Sequence, residues 1–265
     1  MSFKIVTWNV NSIKVRLPHL LEFIKEHDPD IICLQELKCQ TENFPSEELS
    51  HLPYNLYVEG QKTYNGVAIL SKIQADEVKT SFPNNPASEQ ARFIEIALNT
   101  PMGYGRVICL YAPNGGEVDS DKFSMKLKFY DAFTDYIEQI KSFEEKLYIC
   151  ADYNIAPFDI DVYSPQKLQD STCCTYVEKQ KLRTILNSDF VDSFRAKYPD
   201  KQEFSWWDYR GGSFEQNKGM RIDTIISSSN AISDLVDCTI DYKTRGKHKP
   251  SDHAPVIAEY LSEAK

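Results

Sequence analysis

The chain has 265 residues, 42% of them hydrophobic and 12% aromatic. That excludes a disordered chain and suffices for one sizeable α/β or sandwich core. The formal net charge is −9, which excludes capture of a polyanion by a uniformly basic body and leaves phosphate contact to a local basic rim.

Met1-Ser2-Phe3-Lys4-Ile5-Val6 leads directly into a strand over 3–10 that ends in Trp8-Asn9-Val10-Asn11. It lacks the charged, apolar and small-residue succession of a signal peptide. Leu17, Leu20, Leu21 and Ile24 are spaced for a helix over 17–27, which Asp28-Pro29-Asp30 breaks. Ile31-Ile32-Cys33-Leu34 then predicts a buried strand that delivers Gln35 and Glu36. Strands are expected over 54–58, 67–71 and 92–98, with Tyr64-Asn65-Gly66 as the turn between the first two. A strand over 106–111 is closed by Ala112-Pro113-Asn114-Gly115-Gly116.

Phe123, Leu127, Tyr130, Phe133, Tyr136, Ile137 and Ile140 mark a long helix over 121–142, and 147–150 is a buried strand delivering Asp152 and Asn154. Residues 155–176 read as a loop and 178–188 as a helix. Strands follow over 204–209, 222–227, 236–242 and 254–260. No apolar run reaches the ~18 residues of a membrane span, so no membrane partner is expected. No linker or low-complexity segment interrupts the chain, so a single domain over 1–265 is expected. Strand–helix–strand over 3–36 and again over 106–152 points to an internal two-fold repeat. Many strands with few helices predict an α/β fold of two packed mixed β-sheets flanked by helices.

Of the seven cysteines, Cys33, Cys109 and Cys150 lie in apolar runs, no C-x-x-C occurs, and Cys173-Cys174 is poorly placed for zinc. Reduced thiols, a cytoplasmic setting, and neither structural zinc nor disulfides are expected.

Several polar residues leave these strands without an obvious structural job. Strand ends that deliver oxygen ligands and a histidine to one rim suit a hard divalent cation held against a phosphate. Glu36 either caps the next segment or coordinates a cation. Asn9 and Asn11 are turn formers, or offer an amide oxygen to a metal or an N–H to a phosphate. Asp152 and Asn154, two apart, share one side of an extended segment, where one could deprotonate a water and the other hold the phosphate.

Pro250-Ser251-Asp252-His253-Ala254-Pro255 pairs an aspartate and a histidine between prolines. A nearby carboxylate would keep the imidazole protonated and able to hold a phosphoryl oxygen. Asp252 could face the metal, and His253 could pair with Asp223 instead. Asp223 falls inside a strand pattern and needs a partner, either His253 or a cation such as Arg221. The basic run 243–249 and a second cluster of Arg210, Lys218 and Arg221 would supply a local rim for a polyanion. Solvated loops are the plain alternative for both.

These motifs together resemble the exonuclease III family of DNA-repair apurinic/apyrimidinic endonucleases, within the wider endonuclease/exonuclease/phosphatase fold. The resemblance runs from Trp8-Asn9-Val10-Asn11 through Leu34-Gln35-Glu36, Tyr64-Asn65-Gly66-Val67-Ala68-Ile69, Tyr111-Ala112-Pro113-Asn114-Gly115 and Asp152-Tyr153-Asn154. It continues through Phe204-Ser205-Trp206-Trp207-Asp208-Tyr209-Arg210 and Arg221-Ile222-Asp223 to Ser251-Asp252-His253-Ala254-Pro255. The first and last motifs also fit phosphatases of the wider fold, and the 204–210 block narrows the likeness to DNA repair.

The resemblance implies a four-layered α/β sandwich. It implies Glu36 as the principal ligand of Mg²⁺, with Mn²⁺ as a substitute, Asn9 nearby and Asp252 facing the metal region. Asp152 would activate the attacking water, Asn154 and His253 would contact the scissile phosphate, and Asp223 would orient His253. Tyr111 would sit near the phosphate. Trp206, with Met220 and Ile222, would line a pocket for the base-less sugar. Apart from the resemblance, the strand-end amide of Asn11 and the basic cluster of Arg210, Lys218 and Arg221 are expected to bind substrate.

The implied partner is double-stranded DNA with abasic sites or 3′ ends, cut to leave a 3′-hydroxyl; a monomer is the default expectation, which no residue of the sequence decides. Departures from the family pattern are Ala151 where glycine is usual, the bulky Tyr153, the glycine-rich 210–214 loop, and segment 168–182, to which nothing is carried over. Two other classes compete: a phosphatase or phosphodiesterase acting on lipids or small phosphates, and a DNA-binding module without catalysis. Trp206-Trp207 and the 243–249 run argue against the first, and intact Glu36, Asp152, Asn154 and His253 against the second.

Overall fold

The computed structural model describes residues 2–261; Met1 and 262–265 of the expected domain lie outside the described residues. Its strands are β1 Ser2–Asn9, β2 Ile31–Gln35, β3 Asn55–Glu59, β4 Val67–Ser71, β5 Glu77–Lys79, β6 Phe93–Thr100, β7 Gly103–Tyr111, β8 Lys146–Asp152, β9 Phe190–Asp192, β10 Asp223–Ser228, β11 Leu235–Ile240 and β12 Val256–Leu261. They form two six-stranded sheets, ordered β11-β12-β1-β2-β4-β3 and β5-β6-β7-β8-β10-β9.

Strand alternation explains how the sheets stack. In β1, Phe3 and Ile5 join the apolar layer between the sheets, whereas Val6 and Trp8 face the helix Ile13–His27 through Leu20 and Phe23. In β8, Tyr148 and Cys150 point into the inter-sheet layer. Leu147, Ile149 and Ala151 pack on Phe129, Phe133 and Ile137 of the helix Asp121–Lys141 and on Leu182 of the helix Tyr176–Asn187. Helix, sheet, sheet and helix thus make the expected four-layered sandwich of mixed sheets.

The expected repeat is visible in the topology. Each sheet holds one parallel pair, β1 with β2 and β7 with β8, joined by a crossover helix and flanked by antiparallel strands. Parallel neighbours end at the same level. Asn9 pairs with Gln35, and Tyr111 pairs with Asp152. The carboxyl ends of the four central strands therefore deliver the polar residues that leave them to one rim.

Three expectations change. The segment 204–209 is not a strand: Trp206 makes only isolated bridges to Met220 and His253. Its aromatic residues mimic strand propensity, but Trp207 is anchored in the core while Trp206 turns toward a cleft. The first helix begins at Ile13 and not at residue 17, and carries Pro18 inside. The edge strands β5 and β9 have three residues each, too few to show a period.

Candidate active site

Local backbone geometry aims the side chains. Directly after β2, Glu36 is left-handed, with φ 54°, and Asn154 after β8 has φ 49°. Such a conformation costs a non-glycine residue on the order of 1 kcal/mol. Backbone bonds hold the first turn: Ser12 N donates to Glu36 O at 2.8 Å and Leu37 N to Gly66 O at 3.1 Å. Gly66, at φ +90°, admits no side chain there, because a Cβ would lie 2.8 Å from Leu37 Cβ.

The loop carrying His253 is pinned to β1. Ser251 Oγ donates to Asn9 O at 2.7 Å and Trp8 Nε1 to His253 O at 3.2 Å.

Glu36, Asp152 and His253 converge, each offering an atom within 4.8 Å of the others. Asn9 Nδ2 donates to Glu36 Oε1 and to Asp152 Oδ2, both at 2.9 Å, while its Oδ1 accepts from Asn11 N at 3.0 Å. The amide oxygen is thereby engaged with backbone. Asn9 thus bridges the two carboxylates as a donor at the point where Glu36 and Asp152 meet. Asp252 is likewise committed: its Oδ1 accepts from Asn11 Nδ2 at 2.8 Å and its Oδ2 from Trp206 Nε1 at 3.0 Å. It lines the same cleft as Glu36, but it orients Asn11 and Trp206.

Asp223, the first residue of β10, lies opposite Asp152 across the ladder. Its carboxylate meets His253 Nδ1 at 2.9 and 3.1 Å and accepts from Ser205 Oγ at 2.6 Å. Asp223 thus takes the imidazole as its partner, and Arg221 lies elsewhere. His253 Nε2 is 3.8 Å from Asp152 Oδ2. Burial alone would lower the imidazole pKa, but Asp223, Asp152 and Asp252 outweigh it and raise it to about 10. Burial, followed by the Asp223 carboxylate, pushes Asp152 up to about 7 against the opposing pull of His253 and Asn9. For Glu36 burial acts upward, yet Asn9, Lys38 and His253 leave its pKa below the ordinary value. Burial, with Glu36 and Asp152 nearby, keeps the Tyr111 hydroxyl protonated far above its ordinary range.

These groups line a cleft of about 380 Å³ with an apolar side built from Trp206, Met220, Ile222 and Cys173. The three expected pocket residues are therefore brought together with the polar cluster.

Several contributors carried no separate expectation. Lys38 Nζ lies 2.9 Å from Glu36 Oε2. Arg92 stacks its guanidinium 4.8 Å from the Tyr111 ring centre. Asn114 Nδ2 donates to Asn154 Oδ1 at 3.0 Å. Asn114 already stood inside a quoted motif, and Lys38 is two residues past Glu36. Cys173, from the segment to which nothing was carried over, had no local signal.

Other expected substrate contacts lie elsewhere. Arg221 is 1% exposed, with Nε 2.7 Å from Asp161 Oδ1 and Nη2 2.8 Å from Asp192 Oδ2. It is an interior ion pair and not part of a basic surface cluster with Arg210 and Lys218. Arg221→Met leaves Asp161 and Asp192 short of their cation, so it should destabilise the fold by roughly 3–5 kcal/mol. Denaturant melts check this, and a variant as stable as wild type would contradict the pairing.

Arg210 and Lys218 are exposed on the 210–218 loop, bonded to Asp208 at 2.8 Å and to Gln216 at 2.5 Å. The basic run 243–249 is split between surface ion pairs, one buried arginine and exposed residues. Lys243 pairs with Glu26 at 2.5 Å, Lys247 pairs with Glu22 at 2.8 Å, and the buried Arg245 stacks on Phe214 at 4.6 Å. Lys249 and His248 remain exposed.

The chain matches the Endonuclease/Exonuclease/phosphatase family over residues 6–253. It is 34% identical over 266 residues to Exodeoxyribonuclease III of Haemophilus influenzae, covering 97% of this chain and 99% of that protein. The structure of the 3′ phosphatase NExo from Neisseria, bound to product DNA hairpin, superposes with a TM-score of 0.94 at 38% identity, covering 98% and 99% of the two chains. An AP endonuclease from Archaeoglobus fulgidus superposes with a TM-score of 0.92 at 34% identity, covering 97% and 99%.

Proposed function

We propose that this chain, which belongs to the Endonuclease/Exonuclease/phosphatase family, is a DNA-repair hydrolase that cuts the phosphodiester 5′ to an abasic site and trims 3′ ends, leaving a 3′-hydroxyl. One observation carries this reading: Glu36, Asp152 and His253 meet within 4.8 Å beside an apolar cleft of about 380 Å³. Exodeoxyribonuclease III and AP endonuclease among the relatives, and the DNA hairpin held by the Neisseria protein, support DNA as the partner.

The donor set fits a hard divalent cation. Glu36 and Asp152 offer carboxylate oxygens at one point, and Glu36 already attracts the Lys38 ammonium. Bound there, Mg²⁺ or Mn²⁺ would neutralise charge on the phosphate. Glu36 would be its principal holder. Asp152, whose pKa of about 7 suits proton transfer near neutral pH, takes a proton from the attacking water.

His253, held protonated by Asp223, donates from Nε2 to a phosphate oxygen and stabilises the charge that builds there. Asn154 holds a second oxygen, and Tyr111 donates its hydroxyl to the phosphate or to the leaving oxygen. A sugar without its base leaves the stack at less cost than an intact nucleotide and packs its apolar faces between Trp206, Met220 and Ile222. Selectivity then comes from shape. Arg210, Lys218 and Asn11 remain available to the DNA backbone.

The whole cluster comes from one chain, which supports a single domain acting as a monomer. No described helix is long and apolar enough to cross a membrane. Seven free cysteines support a reducing compartment such as the cytoplasm.

The test is a duplex carrying one abasic analogue, incubated with Mg²⁺ and then with EDTA. Incision should be complete with the metal and lost with the chelator. Turnover of a phospholipid headgroup or sugar phosphate without DNA incision would overturn the proposal in favour of a non-DNA phosphatase. Binding without cutting would indicate a DNA-binding module.

A further inference from the structure

Away from the reacting groups, one fully buried ion pair has no part in the chemistry just described. Lys126 of the helix Asp121–Lys141 and Glu178 of the helix Tyr176–Asn187 are both 0% exposed. Taking two charges out of water is expensive, and an apolar pair of similar volume is often as stable or more so. The other partners of the pair show what it holds. Besides bonding to Glu178, Lys126 Nζ donates to Asn154 O at 2.7 Å and to Asn114 O at 3.0 Å. The ammonium's three donors are thereby all used. Glu178 Oε1 also accepts from Cys173 N at 3.0 Å, and its Oε2 accepts from Thr175 N at 3.1 Å and Thr175 Oγ1 at 2.6 Å.

One ion pair thus ties together three loops, and each of them sends a residue to the cleft: Asn114, Asn154 and Cys173. An apolar side chain could fill the space but could not satisfy two converging carbonyls. The route of the lysine stem is itself restrictive. A Cβ on Gly115, whose φ is +93°, would lie 2.9 Å from Lys126 Cδ. Asn154 needs such support, because its backbone is left-handed and its side chain is held by Asn114 Nδ2 at 3.0 Å and by Ala112 O at 3.0 Å. Releasing Asn114 and Asn154 together would let both amides drift.

We infer that Lys126, neutralised by Glu178, is a positioning residue: its ammonium sets Asn154 and Asn114 against the phosphate by gripping their backbone carbonyls. The inference rests on the reading of Asn154 as a phosphate-holding group. Lys126→Met alone would strand the Glu178 carboxylate and endanger folding, so both partners are replaced, as Lys126→Met with Glu178→Leu. This double variant should melt cooperatively and bind abasic duplex within about threefold of wild type. Its single-turnover incision should fall roughly 30- to 100-fold, the scale of a small misplacement of a catalytic group.

The decisive comparison repeats the double substitution in an Asn154→Ala background. There it should cost less than about threefold, because groups acting as a unit are not additive. An equal loss in both backgrounds, or no loss in either, overturns the inference. Lys126→Arg with Glu178 intact should recover most of the rate.

Amide hydrogen exchange gives a readout that needs no activity. Exchange over 153–156 and 173–175 should rise in the double variant while 147–151 stays protected. Unchanged exchange overturns the inference even if wild type proves unable to cut DNA. A wild type that fails to cut, with exchange released as expected, removes only the functional reading.

Discussion

Replacing Asp152 with asparagine should lower single-turnover incision of an abasic duplex by roughly 10³- to 10⁴-fold, the upper range for loss of a general base, while duplex affinity stays within about threefold. The substitution keeps the shape of the side chain and removes its ability to take a proton. Asp152 is 1% exposed and sits between Asn9 and His253, so no bulk water or neighbouring base readily replaces it.

Duplex binding should hold or tighten slightly, because a negative charge facing the phosphate is removed. The pH profile gives a second check. With Asp152 raised to about 7, wild-type activity should climb as pH rises through that value. The variant should lose that limb along with its rate. Near-wild-type incision by Asp152→Asn would remove the proposed water activator.

Asp223→Asn should lower incision at mildly alkaline pH by roughly 10²- to 10³-fold, by analogy with loss of the anion that orients a catalytic imidazole. Asp223 is the nearest carboxylate to His253, at 2.9 Å, and heads the charges that raise its pKa to about 10 against the cost of burial. Without that charge, burial is opposed only by Asp152 and Asp252, and the imidazole deprotonates at lower pH. The alkaline limb of the rate profile, expected near pH 10 in wild type, should therefore move to lower pH.

Stability follows the same sign. The folded state holds the His253 proton more tightly than the unfolded chain does. The stabilisation from this pair is therefore fully present below the ordinary histidine value near 6.5 and is lost as pH rises through about 10. An NMR titration of the imidazole reads the shift directly. An alkaline limb at the same pH in both proteins would show that Asp223 does not set the charge of His253.

Much of the site was legible because its residues leave strands whose apolar runs are local signals. Asn9, Glu36, Tyr111 and Asp152 all follow or close a run that becomes one of the four central strands. Parallel pairing then brings their ends to one level. Trp206, Met220 and Ile222 were legible through the family likeness, although the segment holding Trp206 is a loop and not the strand its aromatic content suggested. Charge was less legible. Arg221 stands beside Asp223 in sequence, yet its partner Asp161 is 60 residues away. Lys243 and Lys247 read as a basic rim, yet they answer Glu26 and Glu22 from the other end of the chain.

The sequence alone therefore determined the layered sandwich and the carboxylates, amides and imidazole that reach its rim, because hydrophobic period and strand-end chemistry are written in neighbouring residues. Only the tertiary structure decided which way the Asn9 amide turns, which cations are spent on the interior, and that Lys126 with Glu178 grips three loops of the cleft. A charge or an amide takes its role from whatever lies within a few ångströms, and in a folded chain those neighbours come from distant segments.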